Sequence, residues 1–163
     1  MEDIRQNGRI LSEALQKINK SAIKGDKLFP ANSIIFATSA TIGEHALITK
    51  EFLSNQRFTC IYPKKDFIEK INMKFMYYYS YFIDDWCKNN INIAGFASVD
   101  MVGFKKISIP IPPLSIQQDI VEKLDKFEEL INKSLPEEIE ARRKQYEYYR
   151  EKLLTFEPAE NFN

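Results

Sequence analysis

The sequence predicts an α+β fold: a small mixed β-sheet domain with packed helices, followed by a long C-terminal coiled-coil-forming helix. Three observations carry that expectation. Short runs of β-branched and aromatic residues cluster between residues 33 and 62, the composition of strands in a pleated, half-buried surface. Apolar residues then recur every three to four positions over 67–88, the period of a helix with one buried face. Finally, a proline cluster at 110–113 precedes apolar residues at heptad intervals as far as residue 156, the mark of a coiled-coil seam. With 44% hydrophobic and 28% charged residues among 163, the chain can build a core, and wholesale disorder is excluded.

The elements run in order along the chain. Ile10, Leu11, Ala14, Leu15 and Ile18 share a helical face, predicting a helix over Ile10–Ile23 that Gly25 and Asp26 stop. Ser33–Thr38 reads as a buried strand, Thr41–Glu44 as a turn and His45–Thr49 as the returning strand of a hairpin. Phe58–Tyr62 is a third strand closed by Pro63. The helix of 67–88 runs from Phe67 through Ile71, Phe75, Tyr79, Phe82 and Ile83 to Trp86, and Asn89–Asn90 ends it; on pattern alone it is a core helix. Gly95–Asp100 reads as a loop with a short strand, and Phe104–Ile109 as the last strand. A first domain thus spans 1–109.

Residues 110–163 form a second segment. Pro110, Pro112 and Pro113 forbid a helix and stiffen an extended hinge. Ser115 suits an N-cap, with Gln118 as its capping-box partner. Ile116, Ile120, Leu124, Phe127 and Ile131 form a seam; Pro136 interrupts it, and Ile139, Tyr146, Tyr149, Leu153 and Phe156 resume it. Such a stripe is too long to bury against the small domain, so it calls for another helix; the simpler alternative is a helix folded back onto the domain.

Charge and motifs exclude most catalytic classes. Residues 1–110 hold 15 Lys/Arg against 11 Asp/Glu, and residues 111–163 hold 8 against 12, so a mildly basic body carries an acidic tail. That asymmetry suits nucleic acid at the first part and protein at the second. The five glycines are scattered and build no phosphate loop. Asp66, Glu69 and Lys70, like Asp84 and Asp85, read as solvated helix faces rather than a metal-holding cluster, and His45 is a lone histidine without a nucleophile beyond the remote Ser39. Pro112–Pro113 lies between Ile111 and Leu114, without the polar and aromatic neighbours adenine methyltransfer needs. Cys60 and Cys87 have no metal-ligand spacing and are expected as reduced, partly buried thiols. No metal or cofactor is expected. The absence of a bilayer-length apolar run, and the polar start Met1–Arg5, lead to the expectation of a cytoplasmic protein with no membrane partner.

Two runs carry a family resemblance. Ile109–Phe127 (IPIPPLSIQQDIVEKLDKF) resembles the proline-rich approach to the conserved helix of type I restriction-modification specificity subunits. Glu138–Phe156 (EIEARRKQYEYYREKLLTF) is similar to the later half of that region. Upstream, Thr38–Gly43, Asn55–Phe58, Phe75–Tyr79 and Gly103–Pro110 resemble the later part of the target recognition domain. The resemblance implies that the globular domain reads one half of a split double-stranded DNA site. It also implies that the helix pairs with another, in a homodimer or with a further specificity subunit, and docks methyltransferase subunits, with the restriction subunit joining indirectly. It implies a non-catalytic chain. The sequence departs from the family pattern in two places: the opening strands of the recognition domain, expected tens of residues before the equivalent of Ile10, are not found, and Ala40 stands where many relatives have Gly. DNA contact is then expected from Ser39 and Thr41 on the turn and from Asn55, Gln56 and Arg57, since amides suit adenine edges and guanidinium suits guanine. Lys64, Lys65, Lys105 and Lys106 would neutralise phosphates. The alternative is a truncated structural or regulatory fragment that pairs through its helix without reading DNA by itself.

Overall fold

In the computed structural model the described residues are 2–19, 21, 23, 28–93 and 95–154. A helix, α1 (Glu2–Asn7), leads to β1 (Ile10–Leu11), β2 (Ser33–Ala37), β3 (His45–Ile48) and β4 (Phe58–Ile61). The sheet order is β1-β3-β2-β4, with β1 parallel to β3 and β2 antiparallel to both neighbours. Every residue of β2 and β3 is buried, as a central pair covered on both faces requires. Alternation divides their side chains. Ile34, Phe36 and Leu47 join Phe75, Met76, Tyr77, Ile83 and Val99 in one core; Ile35, Ala46 and Ile48 join Ile4 and Leu11 in another.

The helix over the first core is α2 (Met73–Asn89). It starts later than the apolar period implies, because Lys65–Lys70 forms a 3-10 turn and Asn72 caps the helix, its side chain accepting from the Lys74 and Phe75 amides. Beyond it lie β5 (Ile91–Asn92), β6 (Ser98–Val99) and α3 (Met101–Phe104).

Three sequence expectations need correction. Residues 10–19 do not form the expected helix: Gly8 takes φ +78° after α1, and Ile10 and Leu11 pair with Leu47 and Ile48 at the sheet edge. Lys20 and Ala22 of the predicted stretch lie outside the described residues. Leu15 and Ile18, which the helical pattern would bury, are exposed; sheet pairing overrides a local period. Phe104–Ile109 is not a strand. Asp100 caps a helical turn by accepting from the Val102 amide, and Ile107 and Ile109 pack against the first core from an irregular segment. Ser115 is not an N-cap either, since the Pro113 carbonyl accepts from the Ile116 and Gln117 amides at 2.9 and 3.1 Å. The helix α4 (Leu114–Glu129) therefore begins two residues earlier than a cap at Ser115 would place it.

Pro136 does not break the helical path. A π turn, Leu130–Ser134, joins α4 to α5 (Leu135–Leu154), and the Leu135 amide reaches back five residues to the Leu130 carbonyl. The wide turn accommodates a proline that has no amide hydrogen and whose ring crowds the preceding turn.

The chain divides into two compact units, Met1–Val121 and Glu122–Asn163. In the first, the start of α4 is tied to the start of α2 by Gln117, whose side chain is wholly buried. Its amide nitrogen donates to the Lys70 and Pro112 carbonyls at 2.9 and 2.7 Å, and its oxygen accepts from the Asn72 amide at 2.8 Å. Gln118 accepts from the Asn72 side chain at 3.0 Å. In the second unit Phe127, Leu130, Ile131, Leu135, Ile139, Tyr146 and Tyr149 are exposed; of the expected seam, Phe156 and the Leu153 side chain lie outside what is described.

Candidate nucleic-acid interface

Thr38, just past β2, organises one end of the sheet. Its amide donates to the Arg57 carbonyl at 3.0 Å and its carbonyl accepts from Val99 at 3.0 Å. Its hydroxyl lies 3.1 Å from that of Thr59. Ser39 bridges to Ser98. The β2–β3 turn, the approach to β4 and the β5–β6 hairpin are thereby held side by side.

Of the residues expected to meet DNA, Ser39 and Thr41 are half-buried in the β2–β3 turn, and Asn55, Gln56 and Arg57 are exposed in the turn before β4. The Asn55 side chain accepts from the Arg57 amide at 3.0 Å and its carbonyl from Phe58 at 3.1 Å, a local turn that leaves the guanidinium in solvent. These five residues meet at one end of the sheet. Lys105 and Lys106, both exposed, come directly after α3, whose Phe104 packs edge-on against Phe36 at 5.6 Å. Lys64 and Lys65 are separated from Arg57, because they lie past the far end of β4, which begins opposite Ala37 and ends opposite Ile34. At about 3.3 Å per residue, the strand alone puts them on the order of 10 Å away. Lys65 lines a cleft of about 630 Å³ with Pro30, Tyr62, Ile68, Asn72 and Lys74.

The turn itself is strained and tightly supported. Ala40 takes φ +67°, a left-handed conformation costing a side-chain-bearing residue roughly 1–2 kcal/mol. Gly43 takes φ +81°, and a Cβ there would lie 2.5 Å from Lys88 carbons and 2.9 Å from the Asp84 carbonyl. The last turns of α2 thus run directly beneath the hairpin and bring Lys88 to it. Spacing along the sequence carries no sign of Lys88 at this end, because the contact depends on a glycine 45 positions earlier.

Beneath the turn lies a polar cluster that local sequence patterns assign to bland surface. Asp84 is buried on α2, and its Oδ2 accepts from His45 Nδ1 at 2.6 Å and from Arg9 at 3.3 Å. The carboxylate can only accept, so Nδ1 carries the hydrogen. His45 is wholly buried, edge-on to Tyr77 and Tyr81 at 5.2 and 4.7 Å, and Arg9 lies over the Tyr81 ring at 5.1 Å. His45 Nε2 and Asp84 Oδ1 are buried without a protein hydrogen-bond partner. The cluster fastens α2, β3 and the residue preceding β1 to one another. It also acts on the neighbouring thiol: Cys87 is pushed up to about 11, first by burial and then by the charge of Asp84. Burial likewise raises Cys60, opposed by a hydrogen bond with Ser33. Among the described residues no group of three or more His, Cys, Asp or Glu side chains is placed to hold a metal ion, and no helix is long and apolar enough to cross a membrane.

Residues 5–141 match the type I restriction modification DNA specificity domain. The chain belongs to this family. It is 51% identical over 170 residues to the type I restriction enzyme EcoprrI specificity subunit of Escherichia coli, across 98% of this chain and 42% of that protein. It is 37% identical over 146 residues to the EcoR124I/EcoR124II specificity subunit of the same organism, across 82% of this chain and 34% of that one. The chain therefore spans under half the length of these specificity subunits. A chain from a solved structure concerned with complex assembly and conformational transition of the type I R-M system matches with a TM-score of 0.55 at 19% identity, covering 74% of this chain and 30% of that one. That likeness bears on the fold alone, and agrees with the α+β class and the long C-terminal helical segment.

Proposed function

We propose that this chain is a sequence-specific DNA recognition module of a type I restriction-modification specificity subunit, reading one half-site of a split duplex target. In this reading residues 1–109 contact DNA, while the hinge and helix of 110–163 pair with another helix and dock methyltransferase subunits, through which a restriction subunit joins. The chain itself catalyses nothing and needs no cofactor. The supporting observation is the meeting of Ser39, Thr41, Asn55, Gln56 and Arg57 at one end of the sheet, with Thr38 as their common anchor. Arg57 suits guanine and the amides suit adenine. Lys105 and Lys106 contribute phosphate contacts that set register; Lys64 and Lys65, at the far end of β4, meet a separate stretch of backbone or a partner subunit.

Selection from a randomised duplex pool tests this reading. The chain should enrich one sequence, with affinity falling as salt rises. Arg57→Ala should cost about 1–3 kcal/mol and relax preference at one base pair. Enrichment of nothing at low salt would refute it.

The exposed stripe from Phe127 to Tyr149 favours a second reading, in which the chain acts as a pairing fragment. DNA selection separates the two readings, and light scattering tests the pairing they share: the chain should be dimeric at micromolar concentration, and Ile131→Glu with Ile139→Glu should make it monomeric. A monomeric parent chain would refute pairing between copies.

A further inference from the structure

The β5–β6 hairpin carries an apolar tip that the DNA-reading residues above do not include. Phe96 is 98% exposed and Ile93 83%. Gly95 takes φ +94°, with no atom within 4 Å of where a Cβ would sit, so the chain at Gly95 borders open space. The hairpin base is nonetheless fixed. Val99 donates to the Thr38 carbonyl, Ser39 bridges to Ser98, and Asp100 donates to the Asn90 carbonyl at 2.9 Å. The tip therefore projects from the same end of the sheet as Ser39, Thr41 and Arg57. Ile93 and Phe96, with Ile91 at the hairpin base, sit on a narrow hairpin whose strand β6 is tied to Thr38 and Ser39, a small apolar projection rather than the broad apolar area of a protein-interface core. They match an apolar wedge of the kind that enters DNA grooves and presses on base steps.

We propose that Phe96 packs against the bases of the duplex read by the β2–β3 turn, supplying an apolar contact to recognition. This rests on the DNA-recognition reading above. The test uses the full chain and the duplex it selects from a randomised pool, titrated across salt concentrations. Phe96→Ala should weaken binding about 10- to 100-fold, the equivalent of exposing a buried aromatic side chain. The factor should be the same at every salt concentration, because an apolar contact releases no counterions. Phe96→Leu should retain most of the affinity, and both variants should melt with the parent. Undiminished binding by Phe96→Ala, alongside weakened binding by Arg57→Ala, would overturn the inference and leave the DNA-recognition reading standing. A changed salt slope for Phe96→Ala would also overturn it, by showing lost phosphate contacts. If the parent chain selects no duplex, both proposals fall.

Discussion

Replacing Gln117 by alanine should loosen the start of the long helix from the domain, by an amount the hydrogen bonds allow us to work out. The side chain is wholly buried and makes three hydrogen bonds, to the Lys70 carbonyl, the Pro112 carbonyl and the Asn72 amide. Removing it strands three backbone groups, and each buried unsatisfied group costs about 1–3 kcal/mol. Lys70 is exposed and Asn72 and Pro112 are half-buried, so water recovers part of that, leaving about 2–4 kcal/mol. For a domain of this size the loss corresponds to a melting temperature lower by about 10 °C. Gln118→Ala should cost under about 1 kcal/mol, since its side chain is exposed and its hydrogen bond with Asn72 is open to water. Gln117→Glu should be worse than alanine at neutral pH, because a carboxylate facing two carbonyls has no hydrogen to give. The repulsion raises the folded-state pKa of the new carboxyl, so the lost stability should return as pH falls through that raised value. Denaturation monitored by circular dichroism reads all three variants. If Gln117→Ala melts within about 2 °C of the parent, the helix start is not held by this side chain and the reasoning fails.

Other consequences concern the hairpin turn and the thiols. Gly43→Ala should destabilise by about 1–3 kcal/mol, through its positive φ and the close approach of Lys88 and the Asp84 carbonyl; an unchanged denaturation midpoint would show that α2 can draw back freely. Ala40→Gly should instead stabilise by up to about 1 kcal/mol by relieving the left-handed strain, as a urea titration would register. Cys87, held up to about 11 by burial and Asp84, stays neutral in the folded chain while the unfolded thiol ionises at lower pH. Stability should therefore be lost as pH rises from about 9 to about 11, and Cys87→Ala should flatten that part of the profile.

Much of the sheet was legible because its signals are local. Ser33–Ala37, His45–Ile48 and Phe58–Ile61 are β-rich runs bounded by turn residues; the first two pair as a hairpin, and the third pairs with the first, within 30 residues of it. The errors arise where a distant partner decides. Ile10 and Leu11 have a helical period but join a strand 37 positions away in the register Ile10–Leu47. Ser115 has a capping side chain, yet the Pro113 carbonyl and the buried Gln117 set the helix start. The site was half visible for the same reason. Turn-forming polar residues around Ser39 and Arg57 stand out in sequence, whereas the Arg9–His45–Asp84 cluster draws one residue each from β3, α2 and the link before β1. No spacing rule joins a lone histidine to a carboxylate on a later helix.

The π turn at Leu130–Ser134 bears on how the two halves of the long helical segment are phased. Ile131 and Ile139 are eight residues apart, whereas a heptad stripe advances by seven. In an unbroken α-helix that extra residue would swing everything beyond it by about 100°, turning Tyr146 and Tyr149 away from the line of Leu124 and Phe127. A single wide turn absorbs one residue without rotating the helix beyond it, so the two half-stripes share a line. The segment has the geometry of a vernier: losing the extra residue here would draw in the far end by about 1.5 Å while keeping Ile139, Tyr146 and Tyr149 in line with Phe127. Elsewhere along the helix the same change would alter length and facing together.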